Sequence, residues 1–219
     1  MELQPFIVAK TAQTLDGKIA THSGQSKWIT SEQTRTFARK QRDTFDAIVV
    51  GSTTVLKDNP GLNGFKKKIK KVVLDSSLKI STDAKLFKGM RPSDCIIVTT
   101  RKAAKNKLAK LRGAGVTLLQ DVRSSTVNLK WLVRQLSRLK IRKILVEGGA
   151  HVVGSFLKNG LVDQMHIYIA PKIMGDPAAL SSVVGFRVGN IKRLVQLKNL
   201  KIKRINKDIF IQGDVLRNR

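Results

Sequence analysis

Ala47-Ile48-Val49-Val50-Gly51-Ser52-Thr53-Thr54-Val55-Leu56-Lys57-Asp58-Asn59-Pro60 passes from four apolar residues, through one glycine, into a short mixed run that halts before a proline. Residues 47–50 show no polar alternation, which is how a strand buried on both faces reads. Ser52 or Thr53 is positioned to cap a short helix. Asn59-Pro60 stops that helix, because the residue before proline is pushed out of the helical region. A buried strand that ends at glycine and opens at once into a helix is the building unit of an α/β sheet. Its turn lies at the carboxyl end of the strand, where such sheets bind ligands.

The same unit recurs on either side. Residues 6–13 read as a strand, and Thr30 with Gln33 makes a capping box for a helix to about residue 42. Residues 71–74 and 95–99 read as strands, 103–112 as a basic helix closed by Gly113, and 116–119 as a strand. An amphipathic helix is expected over 129–139 and a buried strand over 144–146. Glu147-Gly148-Gly149 then opens a helix to Asn159-Gly160. Residues 164–170 form a strand ended by Pro171. Residues 194–200 and 203–211 alternate, as antiparallel edge strands do. The alternation predicts an α/β fold: a mostly parallel central sheet with helices on both faces and an antiparallel C-terminal edge hairpin. No boundary interrupts it, so residues 1–219 are expected to form a single domain.

Composition narrows the function. Lys and Arg number 42 against 15 Asp and Glu, a formal net charge of +27. The lysines are dispersed, apart from Lys66-Lys67-Lys68 and Lys70-Lys71. One Tyr and two Trp offer few faces on which bases could stack, so no specific nucleic-acid partner is expected. Non-specific affinity that falls steeply with salt is expected instead. No apolar run approaches the roughly 20 residues that span a bilayer, and no basic-then-apolar leader is visible. Cys95 stands alone, which excludes an internal disulfide and a cysteine-rich zinc site. These features suit a cytoplasmic protein.

Two turns are candidates for chemistry. Gly51 and Gly148-Gly149 each let a ligand approach the backbone at a helix start, where free amides favour an anion. Neither turn is a full dinucleotide fingerprint or a phosphate loop. Lys10 lies within an apolar strand, Asp16-Gly17 marks a turn, and Glu147 ends a buried strand, where a carboxylate needs partners. His22, His151 and His166 have no metal-ligand spacing and read as structural, so no metal is expected. No Gly-x-Ser-x-Gly elbow supports serine-hydrolase chemistry.

Taken together, 10–21, Ser26 to Thr30, Arg42, 50–60, Val72 to Ser76, 145–149 and Ile169-Ala170-Pro171-Lys172 carry a specific likeness. They resemble the reductase domain of the bifunctional riboflavin biosynthesis deaminase/reductase, the 5-amino-6-(5-phosphoribosylamino)uracil reductase family, which also occurs in a stand-alone form. The likeness runs in order along nearly the whole chain. It implies a dihydrofolate-reductase-like fold, a homodimer, and NADPH as cofactor. The implied reaction is hydride transfer to the ribose C1′ of a ring-opened Schiff base, giving 5-amino-6-(5-phosphoribitylamino)uracil. The implied catalytic residues are Asp58, Lys10 and Glu147. Ser26, Trp28, Thr30, Arg42 and Leu62 are implied to bind the phosphorylated substrate. Thr14, Asp16, Gly51, Thr54, Asp75, Ser76, Gly148 and Gly149 are implied on the cofactor side, with Thr99-Thr100-Arg101 a further candidate for the 2′-phosphate.

Two departures accompany the likeness. The zinc-binding deaminase motifs are missing from these 219 residues, so a separate deaminase polypeptide is expected. After Leu62 the family continues Thr-x-Arg, whereas this chain reads Asn63-Gly64-Phe65. Lys66, Lys67 or Lys68 would then have to supply the lost charge. A different pterin or pyrimidine substrate for the same kind of NADPH reductase stays open, as does a non-catalytic basic protein that binds nucleic acid.

Overall fold

The computed structural model describes residues 4–216. In chain order it contains β1 (Phe6–Thr14), β2 (Lys18–Ala20), α1 (Glu32–Arg42), β3 (Ala47–Gly51), α2 (Ser52–Asp58) and β4 (Lys70–Leu74). Next come β5 (Cys95–Thr100), α3 (Lys105–Gly113), β6 (Thr117–Asp121), α4 (Leu129–Arg138), β7 (Lys143–Gly148) and α5 (Ala150–Lys158). The chain closes with β8 (Gln164–Ala170), β9 (Leu180–Ser181), β10 (Leu197–Ile205) and β11 (Asp208–Val215). Two compact units divide it. One holds Lys40–Leu145 with the N-terminal residues to Phe6; the other holds Ile7–Arg39 and Val146–Arg219.

In the first unit β3, β4, β5 and β6 pair in that order, all parallel, with Val49 opposite Val72 and Val72 opposite Ile96. Every residue of β3 and β5 is buried, which accounts for the apolar runs Ala47 to Val50 and Cys95 to Val98. Helix α4 buries Leu129, Leu132, Val133 and Leu136 along one stripe, each contributing about 1.5–3 kcal/mol by leaving water. Asn128 caps it, its side-chain oxygen accepting the Trp131 N–H at 3.0 Å. Helix α2 departs from expectation. Gly51 is its N-cap and makes no side-chain bond, so Ser52 and Thr53 are helical residues with hydroxyls left for other partners. Helix α3 runs one residue past the anticipated stop, because Gly115, at φ 76°, makes the left-handed turn rather than Gly113.

The second unit pairs β1 with β8 in parallel, Lys10 opposite His166 and Ala12 opposite Tyr168. Strand β11 then runs antiparallel to β8, and β10 antiparallel to β11 at the outer edge. The C-terminal hairpin is therefore present, but it turns at Asn206-Lys207, later than the alternation suggested. Strand β10 is exposed along nearly its whole length, so Leu200 and Ile202 mark no core face and could not report the register. Phe37 of α1 meets the rings of Tyr168 and Phe210 edge-on, at 6.4 and 5.5 Å. Ser31, not Thr30, caps α1: its hydroxyl accepts the Thr34 N–H at 3.4 Å and donates to the buried Asp208 carboxylate at 2.7 Å. That carboxylate comes from the distant hairpin, which local spacing could not reveal. The short β2–β9 pair was likewise too brief to read.

Helix α5 passes so close to the segment around Val184 that a β-carbon on Gly154 would overlap the Val184 carbonyl oxygen. The backbone contact is also marked by the Val184 N–H bond to the Ala150 carbonyl at 3.4 Å. Gly154→Ala must push two backbones apart and is expected to lower stability by about 1–3 kcal/mol, read from urea unfolding midpoints. Unchanged midpoints would show that the segment gives way freely.

Candidate functional site

In the first unit a cavity of about 340 Å³ opens at the carboxyl ends of β3 and β4. Ser52 and Thr53 follow β3 into it; Leu74 ends β4, and Asp75, Ser76 and Ser77 follow it. Lys57 and Lys79 flank it. Asp75 is almost fully buried. One carboxylate oxygen accepts the Ile80 N–H at 2.9 Å, and the other is buried with no hydrogen-bond partner. An orphaned buried carboxylate oxygen is costly and fits a ligand O–H donor. The Ser76 carbonyl is held by the hydroxyls of Thr99 at 3.1 Å and Thr100 at 2.8 Å. Those two hydroxyls therefore fix the turn, and with both residues buried they are not phosphate ligands. Of the Thr99-Thr100-Arg101 candidate this leaves Arg101, which is exposed at the end of β5.

The cavity suits a ribose hydroxyl beside Asp75 and phosphate oxygens beside Lys57 and Lys79. A nicotinamide dinucleotide has both features. Ser76 and Asp75 were named from sequence; Ser52, Thr53, Lys57, Ser77 and Lys79 were not. Their signal was adjacency to the two strand ends, which alone does not tell a lining residue from a solvated one. Thr54 lies half-buried inside α2, outside this lining, and Gly51 is buried at the turn.

Asp58 is the last residue of α2 and is half-buried. Asn59 follows in the left-handed region at φ 40°, and its side-chain oxygen accepts the Lys85 N–H at 2.8 Å. Beyond it, Leu62 is buried, also at positive φ. Arg42 donates to the Asn63 carbonyl at 2.9 Å. Asp43 accepts the backbone N–H groups of Phe65 and Lys66, each at 2.8 Å, and of Lys67 at 3.2 Å. A β-carbon on Gly64 would overlap both this carboxylate and the Lys67 carbonyl oxygen. The loop that carries Phe65 in place of arginine is thus built around Asp43, and the Lys40 ammonium sits 5.2 Å from the Phe65 ring. Lys67 donates instead to the Phe45 carbonyl at 2.8 Å. With Lys68 it lines a cavity at the amino ends of the strands.

In the second unit Lys10 is half-buried on β1, its ammonium 5.6 Å from the Tyr168 ring. Trp28 is 63% exposed, unusual for its size. The Arg35 guanidinium stacks 4.1 Å from the indole, and Lys172 holds the Trp28 carbonyl at 2.9 Å. Arg35 also donates to the carbonyl of buried Thr30 at 2.6 Å. An exposed indole with its backbone pinned is a platform for a flat ring. Ser26 lies half-buried just before it. Glu147 is half-buried at the end of β7, and Gly148 and Gly149 lead into α5. Gly149, at φ 47°, takes a turn that a side chain would resist.

Thr14 and Asp16 already have internal work. The Thr14 hydroxyl donates to the Asp16 carboxylate at 2.5 Å and accepts the Lys18 N–H at 2.9 Å. Asp16 also accepts the N–H groups of Met174 at 3.1 Å and Gly175 at 2.9 Å. These bonds, the Thr14 hydroxyl foremost, pull the Asp16 carboxyl down to about 2. The pair ties the β1–β2 turn to the loop after β8. Among the described residues no group of three or more His, Cys, Asp and Glu is placed to hold a metal, and no helix is long and apolar enough to cross a membrane.

Residues 5–211 match the family model described as the RibD C-terminal domain. The riboflavin biosynthesis protein RibD of Actinobacillus pleuropneumoniae is 36% identical over 217 residues, covering 97% of this chain and 57% of that protein. The chain thus spans little more than half the length of that curated relative. Among solved structures, Acinetobacter baumannii RibD superposes with a TM-score of 0.84 at 26% identity, over 98% of this chain and 59% of that one. A Thermotoga maritima deaminase/5-amino-6-(5-phosphoribosylamino)uracil reductase gives 0.75 at 26%, over 97% and 57%. The Enterococcus faecalis dihydrofolate reductase, at 10% identity and a TM-score of 0.55 over 98% and 99%, shares the fold. With a match that spans nearly its whole length, the chain belongs to the RibD C-terminal domain family.

Proposed function

We propose that the chain is an NADPH-dependent reductase of riboflavin biosynthesis, acting as a single reductase domain on 5-amino-6-(5-phosphoribosylamino)uracil. The observation that carries the reading is the cavity beyond β3 and β4, lined by Ser52, Thr53, Asp75, Ser76, Lys57 and Lys79, with one buried Asp75 carboxylate oxygen left without a partner. Asp75 would hold a ribose hydroxyl of the cofactor, Lys57 and Lys79 its phosphates, and Gly148 and Gly149 would let its backbone approach closely. A bound nicotinamide supplies the hydride for C1′ of the opened sugar. Asp58 and Glu147 favour the protonated imine by their charge. Lys10 and Arg42 hold sugar and phosphate oxygens, and Trp28 offers its exposed face to the pyrimidine. Leu62, Ser26 and Thr30 complete the substrate side. Thr14 and Asp16 serve the cofactor side by holding the β1–β2 turn in shape, and Gly51 and Thr54 by shaping the α2 start.

The reading includes a homodimer in the cytoplasm, supplied by a separate deaminase. The outer edge of β10, with Leu200 55% and Ile202 67% exposed, is the surface we assign to the dimer.

The direct test is NADPH consumption with the deaminated pathway intermediate, with NADH and dihydrofolate as controls. Turnover with dihydrofolate alone would transfer the chain to a different substrate class, a reading that Phe65 keeps in view. Binding is tested apart from turnover. Asp75→Ala removes a charged acceptor from a ribose hydroxyl, worth about 1.5–3 kcal/mol, so calorimetric NADPH affinity should fall roughly 10- to 100-fold. Unaltered affinity would remove Asp75 from the cofactor site.

A further inference from the structure

The lysine run that opens at Lys66 divides in the fold. Lys71 is fully buried in β4 and donates to the Leu86 carbonyl at 2.7 Å. Lys67, Lys68 and Lys70 instead converge with Arg91 and Lys140 on a second cavity of about 540 Å³ in the same unit. Asp46, which directly precedes β3, and Asp94, which directly precedes β5, line it too, and Lys70 opens β4. The cavity therefore lies at the amino ends of these parallel strands, opposite the cofactor cavity. Five residues of β3 separate the two ends by about 16 Å.

Both carboxylates are already committed. Asp46 accepts the N–H groups of Arg142 at 2.9 Å and Lys143 at 3.0 Å, and the Lys67 ammonium at 3.4 Å. Asp94 is shared by Lys70 and Arg91, each at 3.1 Å. Five cations against two carboxylates leave three positive charges uncompensated. Lys68 and Lys140 are exposed and have no carboxylate partner among the described residues. Lys140 is held at φ 59°, a conformation that disfavours any residue with a β-carbon. No aromatic or aliphatic side chain lines the cavity, so it offers no face for a base or flavin ring to stack on. Its cations converge on a concavity rather than following a track, which suits a compact ligand better than a nucleic-acid backbone.

We propose that this amino-end cavity binds a compact polyanion with adjacent phosphate groups, of the pyrophosphate class, at a site separate from the reductase site. Lysines act as point charges for phosphate oxygens, and Arg91 adds a planar donor set. The test is calorimetric titration of the full chain with inorganic pyrophosphate at a fixed ionic strength of about 0.15 M, where diffuse surface attraction is screened. Lys68→Ala combined with Lys140→Gly removes the two unpaired cations, and glycine accepts the left-handed conformation without strain. One-site binding by the native chain is expected, weakened at least tenfold in this double variant. Its thermal midpoint and NADPH affinity should stay at native values. Lys57→Ala with Lys79→Ala should do the reverse, weakening NADPH and leaving pyrophosphate untouched.

Native pyrophosphate affinity in the Lys68/Lys140 variant would overturn the proposal, as would its loss in the Lys57/Lys79 variant. A short single-stranded RNA that binds more tightly than pyrophosphate at equal phosphate concentration, with the same dependence on Lys68 and Lys140, would transfer the cavity to nucleic-acid backbone. The outcome is independent of whether the NADPH assay succeeds, because its readout is binding at the other end of the strands.

Discussion

Asp58→Asn is expected to lower turnover about 100- to 1,000-fold, within the usual cost of losing one group that favours the protonated reactant. The side chain ends α2, and its backbone is fixed from both sides. The Asn59 N–H closes the helix on the Val55 carbonyl at 3.0 Å, and the Asn59 side chain binds the Lys85 N–H. Asparagine has nearly the same shape, so position is kept while the negative charge is lost. An imine is a far better hydride acceptor when protonated, and a carboxylate nearby favours that form. The loss should therefore fall on kcat, with NADPH affinity and the thermal midpoint near native values. Equal turnover in the two proteins would remove Asp58 from the mechanism. A matching fall in thermal midpoint would make it structural.

The second large effect concerns acid stability. His166 on β8 is 6% exposed, bonds to the Gln164 side-chain oxygen at 2.9 Å and meets the Phe210 ring at 5.3 Å. Burial pulls its imidazole from 6.5 down to about 4. Between those values the unfolded chain binds a proton that the folded chain refuses. The contribution is fully present above pH 6.5 and is lost as pH falls toward 4. A shift of that size amounts to about 3 kcal/mol at its limit. Urea unfolding at stepped pH should show stability falling across this window in the native chain. His166→Gln should flatten the fall, leaving only the slope that the carboxylates contribute. Identical slopes would mean that the imidazole gains a proton without unfolding the strand.

Much of the arrangement was legible because it depends on near neighbours in the chain. Residues 47–50 lack polar alternation because β3 is buried on both faces, and the same burial left apolar runs at Val72 to Leu74 of β4 and Cys95 to Val98 of β5. Pro171 ended β8 and Asn59-Pro60 ended α2, since both act through local backbone geometry. The likeness carried by Val72 to Ser76 named Asp75 and Ser76, which the fold puts on one cavity.

What stayed hidden depends on partners far apart in sequence. The capping role moved from Thr30 to Ser31 because Asp208, 177 residues on, captures the Ser31 hydroxyl. Thr99 and Thr100 resembled phosphate ligands until their hydroxyls were found on the Ser76 carbonyl. The lysine run looked like one basic patch, yet it sends Lys71 into the core and Lys67 and Lys68 to the amino ends of the strands.

The sequence by itself determined the family, the strand–helix order and the glycine turns at the strand ends, because periodicity and turn chemistry act over a few residues. Only the tertiary structure decided which polar groups are already satisfied and which remain open, as with the paired Thr99 and Thr100 and the unpaired Asp75 oxygen. A buried polar atom is settled by whatever the fold brings within hydrogen-bond reach, and that partner need not be near it in the chain.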